Sequence, residues 1–289
     1  MADGSLAPSW LAALGPLLPV LLPLLLLVLR RAVHVGLLLA GAFAGVRHWG
    51  WARRHTVVDG GWHAGQLASE GAAALRVLAF DSAALLLAGL ALQAHGGLAA
   101  VFSARGWAAA LATLVAVGLW YELWFYALHR LLHTRWGWRW HWQHHTAVVC
   151  SPLTAFSFSL VERAGLLLGL GLFAALGLVG VPLSLPGLLV YALLNQLLNV
   201  LGHSNVALTL SPGWLRWLQP WLVTPTFHAL HHARGGAHFG LFTTVLDRAC
   251  GTVLADYPAA LAATVAGRPL RAPVRRRPGA AGVAGAAGR

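Results

Sequence analysis

Histidine is the residue whose number and spacing in this sequence most clearly predict chemistry. The chain has 15 histidines among 289 residues, and ten of them lie between positions 129 and 238. Nine of the ten follow the order HxxxH, HxxHH, one isolated histidine and HxxHH: His129, His133, His141, His144, His145, His203, His228, His231 and His232. Because residues i, i+3 and i+4 share one face of a helix, each box is expected to present its imidazoles on one side.

Nine imidazoles exceed what a single metal ion uses. A structural zinc takes four ligands and a catalytic zinc takes three plus water, so the count predicts two ions with positions left open. Imidazole binds zinc, copper, iron and nickel, and ligand type alone does not choose among them. The glutamate of a zinc-protease HExxH motif is missing. A haem needs only an axial pair, which would leave most of the cluster unexplained. The other five histidines, interpreted as packed or interfacial, are His34, His48, His55, His63 and His95.

The composition places these histidines in a membrane protein. The chain is 58% hydrophobic and 10% charged, whereas soluble domains carry about 25% charged residues. A spanning helix needs about 20 mostly apolar residues. The candidate spans are 10–29, 77–102, 107–128, 166–181 and 183–201, with a shorter apolar piece at 32–46 and a polar loop at 47–76.

The distribution of arginine predicts how these spans are oriented. The arginine-rich stretches 47–76, 130–163 and 216–289 fall on one side of the two predicted hairpins, and that side is expected to be cytoplasmic. Arg30 and Arg31 are expected to close the first span. The predicted fold is all-α: a polytopic protein with a four-helix transmembrane core, an N-terminal span and a cytoplasmic histidine-rich helical cap. The predicted domains are an N-terminal anchor and loop (1–76), a catalytic membrane domain (77–256) and a disordered tail rich in Arg, Ala and Gly (257–289).

The net charge of +12 does not indicate a nucleic-acid partner. No lysine is present, and six arginines after Asp256 supply half of the excess, which is typical of a solvated tail or of weak attraction to anionic lipid.

Two cysteines do not form a disulfide framework or a zinc motif. Four tryptophans between 136 and 142 are interpreted as interfacial anchors or, alternatively, as substrate-lining residues. Arg130, Arg135 and Arg139 either dock an acidic partner or only set the topology.

With these boxes the sequence resembles the fatty acid hydroxylase/sterol desaturase superfamily of integral membrane enzymes. The order of the four histidine motifs matches, and the resemblance covers about residues 110–256. Flanking residues agree with it: Tyr126, the stretch 153–156 with Glu162, Gly202 to Asn205, and the stretch 247–252.

The resemblance implies a di-iron site (Fe2+/Fe3+) held by the nine histidines, O2 as co-substrate, and a lipid substrate from the bilayer. It further implies electrons from a separate donor protein, and the nine histidines would then be the catalytic residues. The expected activity is hydroxylation or desaturation of a fatty acyl, sterol-like or other isoprenoid lipid. The alternatives are a metal-dependent membrane hydrolase and a non-enzymatic membrane metal protein.

Several residues near the boxes have roles that the sequence leaves open. His238 stands where the family often has asparagine, and Asn199 stands where some relatives carry a histidine, so either is a candidate for the metal site. Some of Glu122, Glu162 and Asp247 are expected to accept hydrogen bonds from the far nitrogens of ligand histidines. Alternatively, Asp247 only pairs with Arg248 or caps a helix.

Overall fold

The computed structural model describes residues 18–209 and 213–271, which are mostly helical. The α-helices, in chain order, are α1 (Leu18–His48), α2 (Gly50–Arg54), α3 (Ala64–Gln93), α4 (Trp107–Leu132), α5 (Trp138–His141), α6 (Leu160–Ala175), α7 (Leu185–Gly202), α8 (Pro225–Arg234), α9 (Val245–Ala249) and α10 (Tyr257–Val265). Short 3-10 helices cover Gly97–Ala100, His144–Thr146, Pro152–Phe156, Leu176–Val179 and Gly213–Trp221. The described residues form no sheet, only isolated bridges between pairs of residues.

Five of the described helices are long and apolar enough to cross a bilayer: α1, α3, α4, α6 with the 3-10 turn that follows it, and α7. Large apolar side chains stay exposed along them, including Leu119 (67%) and Val179 (78%). Exposed apolar surface of this extent is unfavourable in water and is satisfied by lipid tails. The chain is therefore a multi-pass membrane protein, and the predicted N-terminal span with a four-helix core is confirmed.

Helices α4, α6 and α7 pack closely against one another. Gly187 of α7 sits so near α4 that a Cβ atom there would come within 2.3 Å of the Ala110 carbonyl oxygen. Small residues allow such close approach of membrane helices. The Tyr121 hydroxyl of α4 donates to the Leu166 carbonyl of α6 at 3.0 Å. The first contact joins the starts of α4 and α7, and the second joins α4 to α6 nearer the histidine-bearing end of α4.

The N-terminal segment differs from its prediction. The apolar pieces 10–29 and 32–46 were predicted to be separate, but one continuous helix, α1, runs through Arg30 and Arg31. Arg31 does not close a span, because its guanidinium donates to the buried carboxylate of Asp81 at 2.8 Å. Arg163 of α6 donates to both oxygens of the same carboxylate. Residues 1–17 lie outside the described part of the chain.

The prediction of a polar loop over 47–76 is wrong for its second half, because α3 begins at Ala64. The polar side chains at the start of α3 form hydrogen bonds inside the protein rather than facing water. The buried Glu70 accepts hydrogen bonds from the hydroxyls of Ser151 (2.5 Å) and Thr154 (2.9 Å). Gln66 donates to the Val149 carbonyl at 2.9 Å. The polar start of α3 therefore holds the segment that follows the second histidine box.

The prediction that the tail from residue 257 is disordered is also wrong for the part that the structure describes. Tyr257–Val265 form α10, and the buried Tyr257 ring packs edge-on against Phe227 of α8 at 5.0 Å. This apolar contact stabilises a helix in a stretch whose composition suggests disorder. Residues 272–289 lie outside the described residues.

A cap forms at the end of the bundle where α4 and α7 terminate. It consists of the segments 49–63, 133–159, 203–209 and 213–271. Bridges join Thr56 to Val206 and Val58 to Leu270. Asn205, in the left-handed region (φ 57°), exchanges side-chain hydrogen bonds with the Val58 backbone, and asparagine tolerates this conformation better than most residues. The cap thus ties three distant parts of the chain together around the histidines.

Candidate metal centre

All nine histidines of the repeated pattern meet in the cap, in two adjacent groups. Within each group one nitrogen from every ring lies within 4.8 Å of the others. The five-histidine group consists of His129, His133, His141, His145 and His231; the four-histidine group consists of His144, His203, His228 and His232. No cysteine or carboxylate joins either group among the described residues. The all-imidazole sets suit transition metals rather than calcium or magnesium.

The boxes distribute their histidines in a way the spacing alone does not predict. The HxxxH box at the end of α4 gives both histidines to one group, as expected. Each HxxHH box instead supplies both groups. His141 and His145 enter the five-histidine group, whereas His144 enters the other. The box at 228–232 lies on one helix as predicted, but α5 ends at His141 and a separate 3-10 turn carries His144.

Hydrogen bonds at Nδ1 fix the orientation of five rings. Four donate to backbone carbonyls at 2.7–3.0 Å: His129 to Phe239, His203 to Asn199, His231 to Ala237, and His232 to Ala147. His141 instead donates to the Glu162 carboxylate at 2.7 Å. A carbonyl or carboxylate only accepts, so Nδ1 carries the proton and Nε2 keeps its lone pair. These are the outer partners typical of metal-binding histidines.

The inner nitrogens crowd together around two centres. Nε2 atoms approach to 3.1 Å between His133 and His231 in the five-histidine group, and to 2.8 Å between His203 and His228 in the other. Nε2 of His129 and Nδ1 of His144 are buried and have no hydrogen-bond partner among the described residues. Buried polar atoms without partners are costly. One such atom per group, with lone pairs converging, fits one cation in each group.

Burial also keeps several of the grouped histidines neutral. It lowers the pKa of His133 and of His203 to about 4. Burial, reinforced by neighbouring imidazoles, holds the pKa values of the buried His144, His231 and His232 well below the ordinary range. Neutral imidazole is the form that binds metal, so at physiological pH the groups are ready to bind without first losing protons.

Of the three acids considered from sequence, only Glu162 receives a described hydrogen bond from one of the nine grouped histidines. Asp247 accepts the backbone N–H groups of Phe239 and Gly240 at 2.8 and 2.7 Å. It therefore holds the loop whose carbonyl orients His129, rather than pairing with Arg248. Glu122 accepts from the Phe242 and Thr243 backbone in the same loop. No sequence pattern predicts that Asp247 and Glu122 accept hydrogen bonds from the backbone of this loop. None predicts which carbonyls accept from the histidines either.

His238 and Asn199, the two additional candidates, belong to neither group. His238 adopts φ 65° and stacks on Phe227 with ring centroids 3.6 Å apart. Its Nδ1 donates to the Phe227 carbonyl, and its Nε2 accepts from the Leu254 N–H, so both nitrogens are occupied. The Asn199 amide nitrogen donates to the Asn195 carbonyl at 2.9 Å. His34, His48, His55, His63 and His95 also lie outside both groups.

A cavity of about 300 Å3 reaches the histidines from the helical bundle. Its walls are mostly apolar and come from α4, α6, α7 and the segments 208–209, 219–225 and 240–242. Representative apolar residues are Phe125, Leu166, Leu198 and Leu241, and Asn199 adds an amide. Five histidines, drawn from both groups, line it: His129, His141, His144, His203 and His228. An apolar chain in this cavity would therefore contact both groups.

The comparisons with known proteins agree with this geometry. Residues 114–252 match the fatty acid hydroxylase family model. Two plant proteins are similar: "Protein CER1-like 2" of Arabidopsis thaliana, 32% identical over 38% of this chain and 18% of its own length, and "Very-long-chain aldehyde decarbonylase GL1-5" of Oryza sativa subsp. indica, 31% identical over 36% of this chain and 17% of its own length. The chain thus spans less than a fifth of either relative, and no solved structure matches it.

The family match contains every residue of the two histidine groups, from His129 to His232. It also contains the Glu162 carboxylate and the Asp247 loop anchor, while α1 and α3 precede it. The resemblance inferred from the histidine boxes is confirmed: the segment 114–252 of this multi-pass membrane protein, which holds both histidine groups, matches the fatty acid hydroxylase family model.

Proposed function

We propose that this protein is an O2-dependent membrane oxidoreductase that uses two iron ions to hydroxylate or desaturate a lipid. The observation that carries the proposal is the meeting of two all-imidazole groups at the wall of an apolar cavity. Two bound irons would supply the redox chemistry that reduces O2 and attacks an unactivated C–H bond. A hydrolase would need a metal-bound water and a general base, and the carboxylate that lines the cavity, Glu162, instead accepts the Nδ1 proton of His141.

The chain's own residues would bind and orient the substrate. Apolar side chains such as Phe125, Leu166 and Leu198 would hold an aliphatic chain by burying it from water. His144 and His228 line the same cavity, which would bring the reacting carbon to the side of the metal groups. Glu162 and the carbonyl of Phe239 would hold ligand rings of the five-histidine group in place.

The first experiment counts metals on detergent-purified protein and on two single variants. His231→Ala removes a member of the five-histidine group, and His144→Ala removes a member of the four-histidine group. We expect about two irons per chain in the wild type and about one in each variant. His63→Ala, a helix cap of α3 outside both groups, is the control and should keep both ions.

The second experiment tests the reaction. Iron-loaded protein with a chemical reductant is offered lipid extracts and long-chain aldehydes, the latter because one relative is named an aldehyde decarbonylase. The proposal predicts O2 consumption coupled to a hydroxylated or unsaturated product. One zinc per chain, or product formed without O2, would contradict it and favour the metal-dependent hydrolase.

We also infer that the cap faces the cytoplasm. Exposed arginines crowd the cap, among them Arg53, Arg54, Arg135 and Arg139, whereas Arg105 is the one described arginine in the 94–106 connection at the other end of the bundle. Such a bias supports a cytoplasmic position for the cap. Cys250 is exposed in the cap and Cys150 is buried, so a membrane-impermeant maleimide should label Cys250 only in inside-out vesicles. Ser103→Cys in a Cys250→Ser background should show the opposite pattern.

A further inference from the structure

Trp138 lies against the partly accessible side of the five-histidine group. Its ring centroid is 5.4 Å from that of His133 and 5.3 Å from that of His145. The indole itself is 41% exposed. The ring is also 6.2 Å from that of His141, so a single side chain contacts three candidate ligands of one group and reaches the surface of the cap.

This approach to the metal groups is distinct from the substrate cavity. Three of the nine histidines are only partly buried: His133, His145 and His228. His228 lines the cavity, which explains its accessibility. His133 and His145 do not line it, and both contact Trp138. The centre therefore has a lipid side and a separate surface side that the indole covers.

The surface around Trp138 is strongly basic. Arg135 and Arg139 are exposed, and their guanidinium groups stack on the neighbouring rings of Trp136 and Trp140 at 4.6 and 4.1 Å. Neither arginine takes part in an ion pair among the described residues. Stacking restricts their motion and leaves their charge available.

Few carboxylates balance this charge on the protein. Asp59 and Asp256 are the exposed acids among the described residues, and Asp256 is already paired with Arg234 at 2.7 Å. A partner that complements the surface around Trp138 must therefore be acidic. Complementary charge of this kind speeds encounter and fixes orientation.

We propose that Trp138, Arg135 and Arg139 form the docking surface for an acidic one-electron donor protein, which delivers electrons through the indole to the five-histidine group. This rests on the proposed function. Hydroxylation takes two electrons from the C–H bond and two from outside: RH + O2 + 2 e− + 2 H+ gives ROH + H2O. Desaturation takes the same two external electrons and two protons, and releases two waters. The donor would be oxidised in two successive one-electron steps.

The docking part is tested by binding, which needs no metal. A soluble acidic [2Fe–2S] ferredoxin is the probe, titrated onto the purified protein in neutral detergent at several salt concentrations. Arg135→Gln/Arg139→Gln should weaken binding about tenfold and reduce its salt dependence. Arg53→Gln/Arg54→Gln, which removes two exposed cap arginines elsewhere, should change binding by less than about twofold.

The electron path is tested without O2 by the rate at which protein loaded with two Fe3+ ions oxidises the reduced ferredoxin, each ferredoxin reducing one Fe3+ to Fe2+. Trp138→Leu should slow this about tenfold while ferredoxin affinity stays within about twofold, because the arginines that steer binding remain. Trp138→Phe, which keeps an aromatic ring, should recover most of the rate. Trp142→Leu is the control, because Trp142 is 54% exposed and has no described ring contact with a histidine. Metal content is measured for each variant.

Three outcomes would overturn the proposal. Equal loss of binding in both double-arginine variants would show a general positive field rather than a docking surface. Unchanged ferredoxin binding, with lost binding to phosphatidylglycerol vesicles, would assign the surface to the membrane. An unchanged electron-transfer rate in Trp138→Leu would exclude the indole. Failure of metal loading in the wild type would instead contradict the proposed function, and the binding titration separates the two cases.

Discussion

Replacing Glu162 with glutamine tests whether the outer hydrogen bond to His141 tunes one metal group and not the other. Glu162 and His141 are both almost fully buried and lie 2.7 Å apart, and no other histidine in the two groups has a described carboxylate partner. Losing such an outer partner typically costs 10- to 100-fold in metal affinity, about 1.4 to 2.7 kcal/mol. Glutamine still accepts the Nδ1 proton, so the ring keeps its orientation and mainly the charge is lost.

The assay isolates each group before the change is made. In a His203→Ala background the five-histidine group remains intact, and Glu162→Gln should lower its iron affinity by about 10- to 100-fold in a chelator competition. In a His231→Ala background the four-histidine group remains intact, and the same change should alter affinity by less than about twofold. Equal losses in the two backgrounds, or no loss in either, would refute the assignment.

Stability must be followed separately in this series. The second oxygen of Glu162 is buried without a hydrogen-bond partner among the described residues, and a glutamine amide placed there would cost about 1–3 kcal/mol. Glu122→Gln is the matched control, because Glu122 is also held in a helix of the bundle but binds backbone N–H groups rather than a histidine. It should lower the unfolding temperature without favouring one group over the other.

Two further predictions concern stability and pH. Asp81→Ala leaves Arg31 and Arg163 without their shared buried carboxylate and should destabilise the protein by about 3–5 kcal/mol; Arg31→Ala, which leaves the Arg163 pair intact, should cost less, as measured by thermal unfolding in detergent. Burial lowers the pKa of His238, so its contribution to stability is complete above the unfolded value of about 6.5 and is lost as pH falls towards the folded value. His238→Asn, which suits the left-handed backbone, should therefore flatten the fall in unfolding temperature below pH about 6.5 relative to the wild type; an unchanged slope would contradict the lowered pKa of His238.

The composition and the histidine spacing predicted the class of fold and the residues that meet, for physical reasons. Apolar runs must span a bilayer, and the i, i+4 spacing of His129 and His133 places both on one helix face. The division of each HxxHH box between two groups was not predictable, because it depends on where α5 ends. His144 lies in a 3-10 turn after the end of α5, and the spacing of the histidines does not predict this change of geometry.

Polar residues in the membrane half of the sequence were the main source of error. Arg31 resembled the end of a span, and Glu70 resembled part of a loop, because sequence rules treat charge as a mark of exposure. Both are instead satisfied internally, by Asp81 and by Ser151 with Thr154. Their partners are 50 or more residues away, so no local window contains the information. His238 was ambiguous for the same reason, since its partners at Phe227 and Leu254 are visible only in the fold.

The shared carboxylate of Asp81 also shows that the segment matched by the family differs from the segment that must fold as one unit. The family match begins at residue 114, so Arg31 and Asp81 fall outside it, while Arg163 falls inside, directly after the residue that orients His141. A chain cut back to 114–252 would retain every histidine of both groups but would leave Arg163 charged and unpaired beside Glu162. The segment that matches the family is therefore smaller than the unit that must fold together. Moving the histidine boxes alone into another protein would not reproduce the two histidine groups.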